Sequence, residues 1–501
     1  MKQIKQPDIL IFLSDQHDGR VMGCAGHPVV QTPHMDALAA DGTMFEQAYT
    51  PCPLCVPARM SMLTGRLPIH TGVYTNHGSI HPEMPTFLHS LALAGYETVL
   101  CGRMHFEGSD QRHGFTKRIA WDITPTAIGA AKDHREVMGA VAPTMTEAGC
   151  IHVIGGGNSM TLEYDRYVVG AALEYFSKPH EKPQCIIVGT YGPHFPYVAP
   201  EELYEKYLPL TPLPPTLDIP VSTPDSKRMR DTNPQIVKSV QAAYWGMVEF
   251  EDECLGIVRN AWDQYLTENE RNGIFVYTSD HGDHAGDRGF YGKQSLLESA
   301  VRIPMIAAGS GIQAGQRLKS PVSLLDLSST LCELAAAAPL PVQDGISLAE
   351  ELKEGLEHPD RQVIAEWINL PYMKGTDYGR MIRQGEWKLI SYSKYPEEEQ
   401  LTLPEEDPWE LHNYRDEYPQ IADCLRLAAY HGVNADQIVE YKNQREDNYL
   451  LIEEFNKQNE AENLEMWPIN EAARTLPKHY LSTANPMPPR FQKYWDMRQK
   501  K

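Results

Sequence analysis

The chain contains short, continuous apolar runs, and each of them ends in a cluster of polar residues. The three clearest runs cover residues 9–13, 185–188 and 274–277. Runs of this length without polar alternation are typical of strands buried on both faces, as in a parallel sheet. Patterns with a helical period lie between them, at residues 33–41, 86–94, 164–177 and 235–266. The alternation predicts an α/β fold in which helices sandwich one large, mostly parallel sheet.

The pattern changes after residue 357. Short strand-like runs predict a small C-terminal antiparallel sheet with a packed helix, the runs being 362–367, 378–383 and 387–392. Beyond residue 421 the chain is polar and acidic, with a helix expected over 438–456. We therefore predict three parts: a main domain over 1–357, a small α+β subdomain over 358–420 and a C-terminal extension over 421–501.

Two glycine-rich segments resemble phosphate-binding turns. Gly309-Ser310-Gly311 follows a strand-like run, but no helical pattern follows it and no βαβ unit with an acidic residue is evident. Gly155-Gly156-Gly157 is interpreted as a loop. Neither segment therefore predicts a nucleotide site.

Composition and charge exclude some functions. Of 501 residues, 42% are hydrophobic and 22% are charged, as in ordinary globular proteins. The formal net charge of −22 argues against nucleic acid as a partner, but it is compatible with a small anionic substrate in a local cationic pocket. No apolar segment is long enough to span a membrane, and no signal peptide is evident, so we expect a cytoplasmic protein.

The most informative motif begins at Cys55. Pro57 suits the first turn of a helix and Gly65 suits its end, so Cys55 would lie at the positive end of a short helix. Arg59, one turn later, would lie on the same face. This arrangement suits a nucleophile that attacks an anionic ester. Two alternatives remain: a redox or zinc half-site formed with Cys52, for which no partner motif is evident, and a structural cysteine.

Two polar pairs follow predicted strands, Asp15-Gln16 after the first and Asp280-His281 after another. Because ligands gather at the carboxyl ends of parallel strands, we expect the pairs to meet in one crevice. Carboxylate and amide oxygens suit Ca²⁺ or Mg²⁺, and the imidazole also tolerates Mn²⁺. The sequence therefore predicts a divalent cation site.

Several motifs resemble those of type I sulfatases of the alkaline phosphatase superfamily. They are Cys55-x-Pro57-x-Arg59 with the following Leu-Thr-Gly-Arg, and Asp407-Pro-x-Glu410-Leu-x-Asn413. In that family the cysteine is oxidised to formylglycine, whose hydrate is the nucleophile, by a formylglycine-generating or sulfatase-maturating enzyme. The Asp-Gln and Asp-His pairs resemble those of choline sulfatases and phosphonate monoester hydrolases, and residues 104–115 resemble choline sulfatases. The resemblance implies an alkaline phosphatase-like fold with residues 1–357 as the catalytic domain.

The resemblance also implies roles for individual residues. The metal, Ca²⁺ with Mg²⁺ or Mn²⁺ as alternatives, would be held by Asp15, Gln16, Asp280, His281 and residue 55. The catalytic set would be Cys55, Arg59, Arg103, His105, His194 and Lys293. Within that set Arg103, which replaces the family lysine, and Lys293 would bind sulfate. His194 would protonate the leaving oxygen, and His105 would act as the base.

The expected substrate is a small sulfate ester, with choline sulfate, a sulfated monosaccharide and an aryl sulfate as candidates. Hydrolysis of a phosphonate monoester or phosphodiester is the alternative reaction, and a non-catalytic binding protein with unmodified Cys55 is the alternative class. We also expect a homo-oligomer stabilised by the C-terminal extension. Choline sulfatases have such extensions, and here the extension carries the aromatic residues Trp467, Tyr480 and Trp495.

Overall fold

The computed structural model describes residues 6–129, 150–151, 153–218, 233–368, 377–459, 461–468 and 479–481. The strands are, in chain order, β1 (Asp8–Asp15), β2 (Gly42–Phe45), β3 (Ala48–Tyr49), β4 (Glu97–Gly102), β5 (Lys117–Ala120), β6 (Ile154–Gly156), β7 (Gln184–Pro193), β8 (Tyr197–Ala199), β9 (Gly273–Ser279), β10 (Arg302–Ile303), β11 (Met305–Gly309), β12 (Gln316–Leu318), β13 (Val322–Ser323), β14 (Gln362–Ile368), β15 (Tyr378–Gln384), β16 (Trp387–Tyr392), β17 (Gln400–Thr402) and β18 (His479–Leu481).

The α-helices of the described residues are α1 (Pro33–Asp41), α2 (Cys55–Thr64), α3 (Pro68–Thr71), α4 (Phe87–Leu93), α5 (Met160–Phe176), α6 (Glu201–Tyr207), α7 (Pro234–Glu268), α8 (Glu298–Val301), α9 (Asp326–Leu334), α10 (Ala349–Glu354), α11 (Pro419–Ala429) and α12 (Ala435–Gln458). In this part of the chain, no helix combines the length and the apolar character needed to cross a membrane.

The main sheet has eight strands in the order β12-β2-β11-β9-β1-β7-β4-β5. Strand β1 pairs in parallel with β7 and β9, and β4 pairs in parallel with β7 and β5. Strand β11 is antiparallel to both of its neighbours. The predicted large, mostly parallel sheet is therefore confirmed, and the three apolar runs are its adjacent strands β9, β1 and β7.

Helices cover both faces of this sheet. Leu10 and Phe12 of β1 belong to one buried cluster, which includes apolar residues of α1, α5 and α7. Ile9, Ile11 and Leu13 of β1 belong to a second cluster, with residues of α2, α4 and α9. Successive side chains of a strand point to opposite faces, so β1 contributes to both layers of the core.

A separate antiparallel sheet, β14-β15-β16-β17, follows the main domain, as predicted. Ile382, Leu389 and Leu401 of this sheet pack against Leu425 of α11. Helix α11 spans the predicted boundary at residue 420, and the three-part division of the chain remains a prediction.

The interpretation of the glycine-rich segment near residue 155 as a loop was wrong. Residues Ile154–Gly156 form β6, which pairs with β8 and β18. Gly156 lies so close to α6 that an added Cβ would be 2.9 Å from the Cβ of Tyr204. The glycine here permits close packing of a strand against a helix rather than a flexible turn.

The C-terminal extension is helical where predicted, as α12. Trp467 beyond it is buried and its ring lies 5.4 Å from that of Tyr164 and 5.9 Å from that of Tyr167. Tyr480 lies in β18, and Trp495 lies outside the described residues.

Candidate active site

The two predicted polar pairs and Cys55 meet at the carboxyl end of the main sheet. Asp15 ends β1 and Asp280 follows β9, and these strands pair in parallel up to Ser14 and Ser279. One ligand atom from each of Asp15, Cys55, Asp280 and His281 lies within 4.8 Å of the others, and all four residues are buried. Adjacent parallel strands thus bring residues more than 200 positions apart into one cluster.

Cys55 is the first residue of α2, and its thiol lies inside this cluster. The Sγ atom is 3.2 Å from His281 Nε2, 3.2 Å from Lys293 Nζ and 3.8 Å from Asp15 Oδ1. The N–H of Val56 donates to Asn76 Oδ1 at 2.9 Å. The N–H of Val56 at the helix start is therefore occupied and is not available to an anion.

Helix α2 has the predicted boundaries. It ends at Gly65, which adopts φ +65° and donates its N–H to the carbonyl of Ser61. That left-handed ending favours glycine. Arg59 lies on the same side of the helix as Cys55, as predicted from their spacing.

Arg59 joins the two carboxylates. Its Nε donates to Asp280 Oδ2 at 2.9 Å and its Nη2 donates to Asp15 Oδ2 at 3.0 Å, with all three side chains fully buried. Burial alone would raise the pKa of the Asp15 carboxyl, but Arg103 and the other nearby cations hold that pKa well below its usual range. The carboxylate is therefore ionised at neutral pH.

The donor set fits a divalent cation. His281 Nδ1 is 3.1 Å from the carbonyl of Gly282, so this nitrogen carries the ring proton and Nε2 presents its lone pair towards Cys55. Burial lowers the pKa of His281, which favours the neutral ring that a metal ligand requires. Two carboxylates, a neutral imidazole and the side chain of residue 55 are a suitable set.

Gln16 lies beside this set. Its backbone has φ +72°, an uncommon conformation for a residue with a side chain. Its Oε1 accepts a hydrogen bond from Lys293 Nζ at 2.7 Å, and its Nε2 donates to Asp283. The amide oxygen thus faces the Lys293 ammonium in this structure.

Arg103 and His105 form the wall next to Cys55. Arg103 Nε donates to Asp15 Oδ2 at 2.7 Å, its Nη2 donates to His105 Nδ1 at 2.8 Å, and its guanidinium carbon is 4.6 Å from the ring centre of Tyr191. Burial and then the Arg103 charge lower the pKa of His105, which is hydrogen-bonded to Cys55. Nδ1 of His105 is occupied as an acceptor, so its ring proton is on Nε2.

His194 and Lys293 form a pair. Lys293 Nζ is 2.5 Å from His194 Nε2, while His194 Nδ1 donates to the carbonyl of Phe195 at 2.6 Å. Burial and then the Lys293 charge hold the pKa of His194 well below its usual range. The proton between the two groups is therefore carried by Lys293 Nζ, although the sequence assigned the acid role to His194 alone.

Sequence reasoning missed two buried carboxylates. Asp283 accepts hydrogen bonds from Tyr197 Oη at 2.9 Å and from the Gly292 N–H at 3.1 Å, in addition to that from Gln16. Asp122 accepts hydrogen bonds from the backbone N–H groups of Met104 and His105. Asp122 lies two residues after β5, whose sequence Lys-Arg-Ile-Ala is not a continuous apolar run, so the pattern that identified Asp15 does not mark it.

Comparison with known proteins identifies the family of this chain. The family model described as Sulfatase matches residues 7–337. The chain belongs to the sulfatase family. A second family model, described as N-sulphoglucosamine sulphohydrolase, C-terminal, matches residues 286–431. The chain is therefore a sulfuric ester hydrolase of the alkaline phosphatase superfamily, as its motifs predicted.

Individual proteins agree with this assignment. A choline-sulfatase of Rhizobium meliloti is 31% identical over 454 residues, which cover 86% of each chain. A structure solved in complex with its substrate D-glucosamine-2-N,6-O-disulfate has a TM-score of 0.68 at 19% identity, covering 89% of this sulfatase and 99% of that chain. The phosphonate monoester hydrolase of Agrobacterium radiobacter has a TM-score of 0.66 at 19% identity, with coverage of 85% and 96%. These two structures share the fold.

Proposed function

We propose that this sulfatase hydrolyses a small sulfate ester through a formylglycine formed from Cys55. The observation that supports this best is the position of Cys55 Sγ, 3.2 Å from both His281 Nε2 and Lys293 Nζ. A side chain placed between a metal-ligand set and an ammonium can approach the sulfur of a bound sulfate while the cation and the ammonium neutralise the negative charge of the sulfate. The modification would be made by a formylglycine-generating or sulfatase-maturating enzyme.

The cation would be held by Asp15, Gln16, Asp280, His281 and residue 55. Ca²⁺ is our first choice, with Mg²⁺ or Mn²⁺ as alternatives, because most of the donors are oxygen atoms. When bound, the cation would supply positive charge beside residue 55 and the sulfate. Gln16 would have to exchange its hydrogen bond with Lys293 for the metal.

The aldehyde of formylglycine would supply, as its hydrate, an oxygen nucleophile and a second hydroxyl for release of sulfate. Arg103 and Lys293 would bind the sulfate oxygens. The proton on Lys293 Nζ, shared with His194 Nε2, would be given to the leaving oxygen. His105 would accept a proton from residue 55 at Nε2 once its own ring proton has shifted to Nδ1, a shift that requires the hydrogen bond from Arg103 to Nδ1 to open.

The substrate class is proposed from size and charge. A net charge of −22 would repel a polysulfated chain, so a small ester is favoured. The choline-sulfatase relative makes choline sulfate the first ester to test. A sulfated monosaccharide and an aryl sulfate are the next, and we propose that the enzyme acts as a homo-oligomer.

The test is a kinetic panel on metal-loaded enzyme. We expect measurable kcat/KM for at least one of choline sulfate, a sulfated monosaccharide and an aryl sulfate, and a much lower value for heparan sulfate. A phosphonate monoester and a phosphodiester are included because the fold also occurs in a phosphonate monoester hydrolase. A preference for the polymer or for phosphorus esters would contradict the proposal.

Metal removal is the second arm of this test. The carboxylates of Asp15 and Asp280 both lie in the cluster and would repel each other more strongly without a cation. We expect exhaustive chelation, checked by elemental analysis, to abolish turnover and readdition of Ca²⁺ to restore it. Full activity in metal-free enzyme would contradict the proposed site.

A further inference from the structure

Asp122, just beyond β5, holds the backbone that carries two residues of the active site. It is 1% exposed. Its Oδ2 accepts the N–H groups of Met104 at 3.1 Å and His105 at 2.9 Å. Its Oδ1 accepts the N–H of Thr124 at 3.0 Å, and Arg103 Nη1 lies 3.6 Å from the same oxygen. One buried carboxylate therefore contacts both the backbone N–H groups of residues 104 and 105 and the guanidinium of Arg103.

The conformation that Asp122 holds is an uncommon one. His105 has φ +60°, in the left-handed region that residues with a side chain rarely adopt. Such a conformation persists only where surrounding contacts stabilise it. Two successive N–H groups converging on one carboxylate oxygen form a backbone anion site, and this contact supplies the stabilisation.

Asp122 is in turn held by the C-terminal extension. Its own N–H donates to the carbonyl of Glu465 at 3.1 Å, and its carbonyl accepts the N–H of Trp467 at 2.7 Å. The Glu465 carboxylate pairs with Arg112 and, at 3.3 Å, with Arg118. Burial of the Trp467 ring beside Tyr164 and Tyr167 fixes this segment on the main domain.

Arg118 completes the connection. Its Nη2 lies 3.6 Å from Asp122 Oδ2, the oxygen that accepts the N–H of His105, and its Nη1 contacts Glu465. Arg118 is 8% exposed, so its charge is poorly screened by solvent and both carboxylates contribute to fixing it. A chain of charged contacts thus runs from Glu465 through Arg118 and Asp122 to His105.

We propose that residues 465–467 and Asp122 form a clamp that positions Arg103 and His105 for turnover. Asp122 and Glu465 are positioning residues, since neither contacts Cys55. This inference rests on the proposed roles of Arg103 and His105. It assigns the C-terminal extension a function within each subunit's own active site, separate from any contact between subunits.

The test compares Glu465→Ala with Glu462→Ala, a matched change at an exposed position of the same segment. We expect Glu465→Ala to lower kcat about tenfold with KM changed less than about twofold, because His105 is misplaced while Arg103 stays bonded to Asp15 and sulfate still binds. Hydrogen exchange at the Met104 and His105 amides should become about tenfold faster. Glu462→Ala should match the wild type in both measurements.

A second variant, Asp122→Asn, removes the charge at the centre of the clamp and should show the same two changes more strongly. Wild-type kcat and unchanged amide exchange in Glu465→Ala would overturn the clamp, as would equal effects in Glu462→Ala. Amide exchange needs no turnover. Inactivity of the wild type towards every sulfate ester would therefore contradict the proposed function without deciding the clamp, which the exchange data would then decide.

Discussion

Arg59 fixes the geometry of the two carboxylates beside Cys55. Its guanidinium donates to one oxygen of each, and this leaves Oδ1 of Asp15 directed towards Cys55. Lysine carries the same charge but cannot donate in this fixed fork. The residue therefore contributes shape as well as charge.

We expect Arg59→Lys to lower kcat/KM by about 100-fold, because the carboxylates lose a common donor and shift relative to residue 55. Metal content, measured by elemental analysis, should fall as well. Arg426→Lys, on the exposed side of α11, is the control and should keep wild-type values. An Arg59→Lys enzyme within threefold of the wild type would show that the bridge has no role in turnover.

The sequence predicted which residues lie together better than it predicted their individual contacts. Asp15, Asp280 and His281 could be placed together because residues after adjacent parallel strands must converge. The pairing of Lys293 with His194 could not be predicted, since it depends on side-chain rotamers on two separate loops. Whether Arg103 faces Asp15 or solvent likewise depends on packing that no local pattern encodes.

At the level of elements, long apolar or periodic segments were predicted and the short strands were not. Strands β1, β7 and β9 are continuous apolar runs, and α1 has the predicted bounds. Strands β3 and β10 are two residues long and carry no measurable period. Their pairing is a consequence of tertiary packing rather than of local sequence.

The start of α1 depends on a carboxylate from another helix. Asp252 of α7 accepts the N–H groups of His34 at 3.1 Å and Met35 at 2.7 Å, in the first turn of α1. Burial raises the pKa of Asp252 from 3.8 to about 7, although the two hydrogen bonds oppose this rise. The folded protein thus binds this proton more tightly than the unfolded chain does.

The stabilisation from the protonated Asp252 is complete below about pH 4 and is lost as the pH rises towards 7. The free energy of unfolding of the wild type should therefore fall relative to that of Asp252→Asn as the pH rises. We expect a fall of up to about 4 kcal/mol between pH 4 and pH 8. Urea unfolding at a series of pH values measures this. Glu268→Gln, at the exposed end of α7, is the control, and a pH-independent difference for Asp252→Asn would contradict the assignment.

At the scale of the whole molecule, a buried ion cluster joins the small antiparallel sheet to α8. Lys388 of β16 lies 2.9 Å from Glu298 and 2.8 Å from Glu410, and all three are nearly inaccessible to solvent. Glu410 also accepts the backbone N–H of Glu298 at 2.8 Å. Glu298 follows the loop that carries Lys293. The motif over residues 407–413, which contains Glu410, therefore contacts the end of an active-site loop.

We expect Lys388→Met to destabilise the protein by about 3–5 kcal/mol, because two buried carboxylates lose their common cation. The midpoint of urea unfolding should fall at pH 8 and recover partly at pH 5, as the carboxylates become protonated. Lys394→Met, on the exposed surface after β16, should leave the midpoint unchanged. An unchanged midpoint in Lys388→Met would show that the cluster does not join the small sheet to α8.

The account as a whole depends on the chemical state of residue 55. The most direct measurement is mass spectrometry of the peptide that contains Cys55, made on preparations of different specific activity. We predict that the fraction with an aldehyde in place of the thiol rises in proportion to turnover of a small sulfate ester, and that Cys55→Ala is folded but inactive. Full activity in a preparation whose peptide carries only the unmodified thiol would contradict the account.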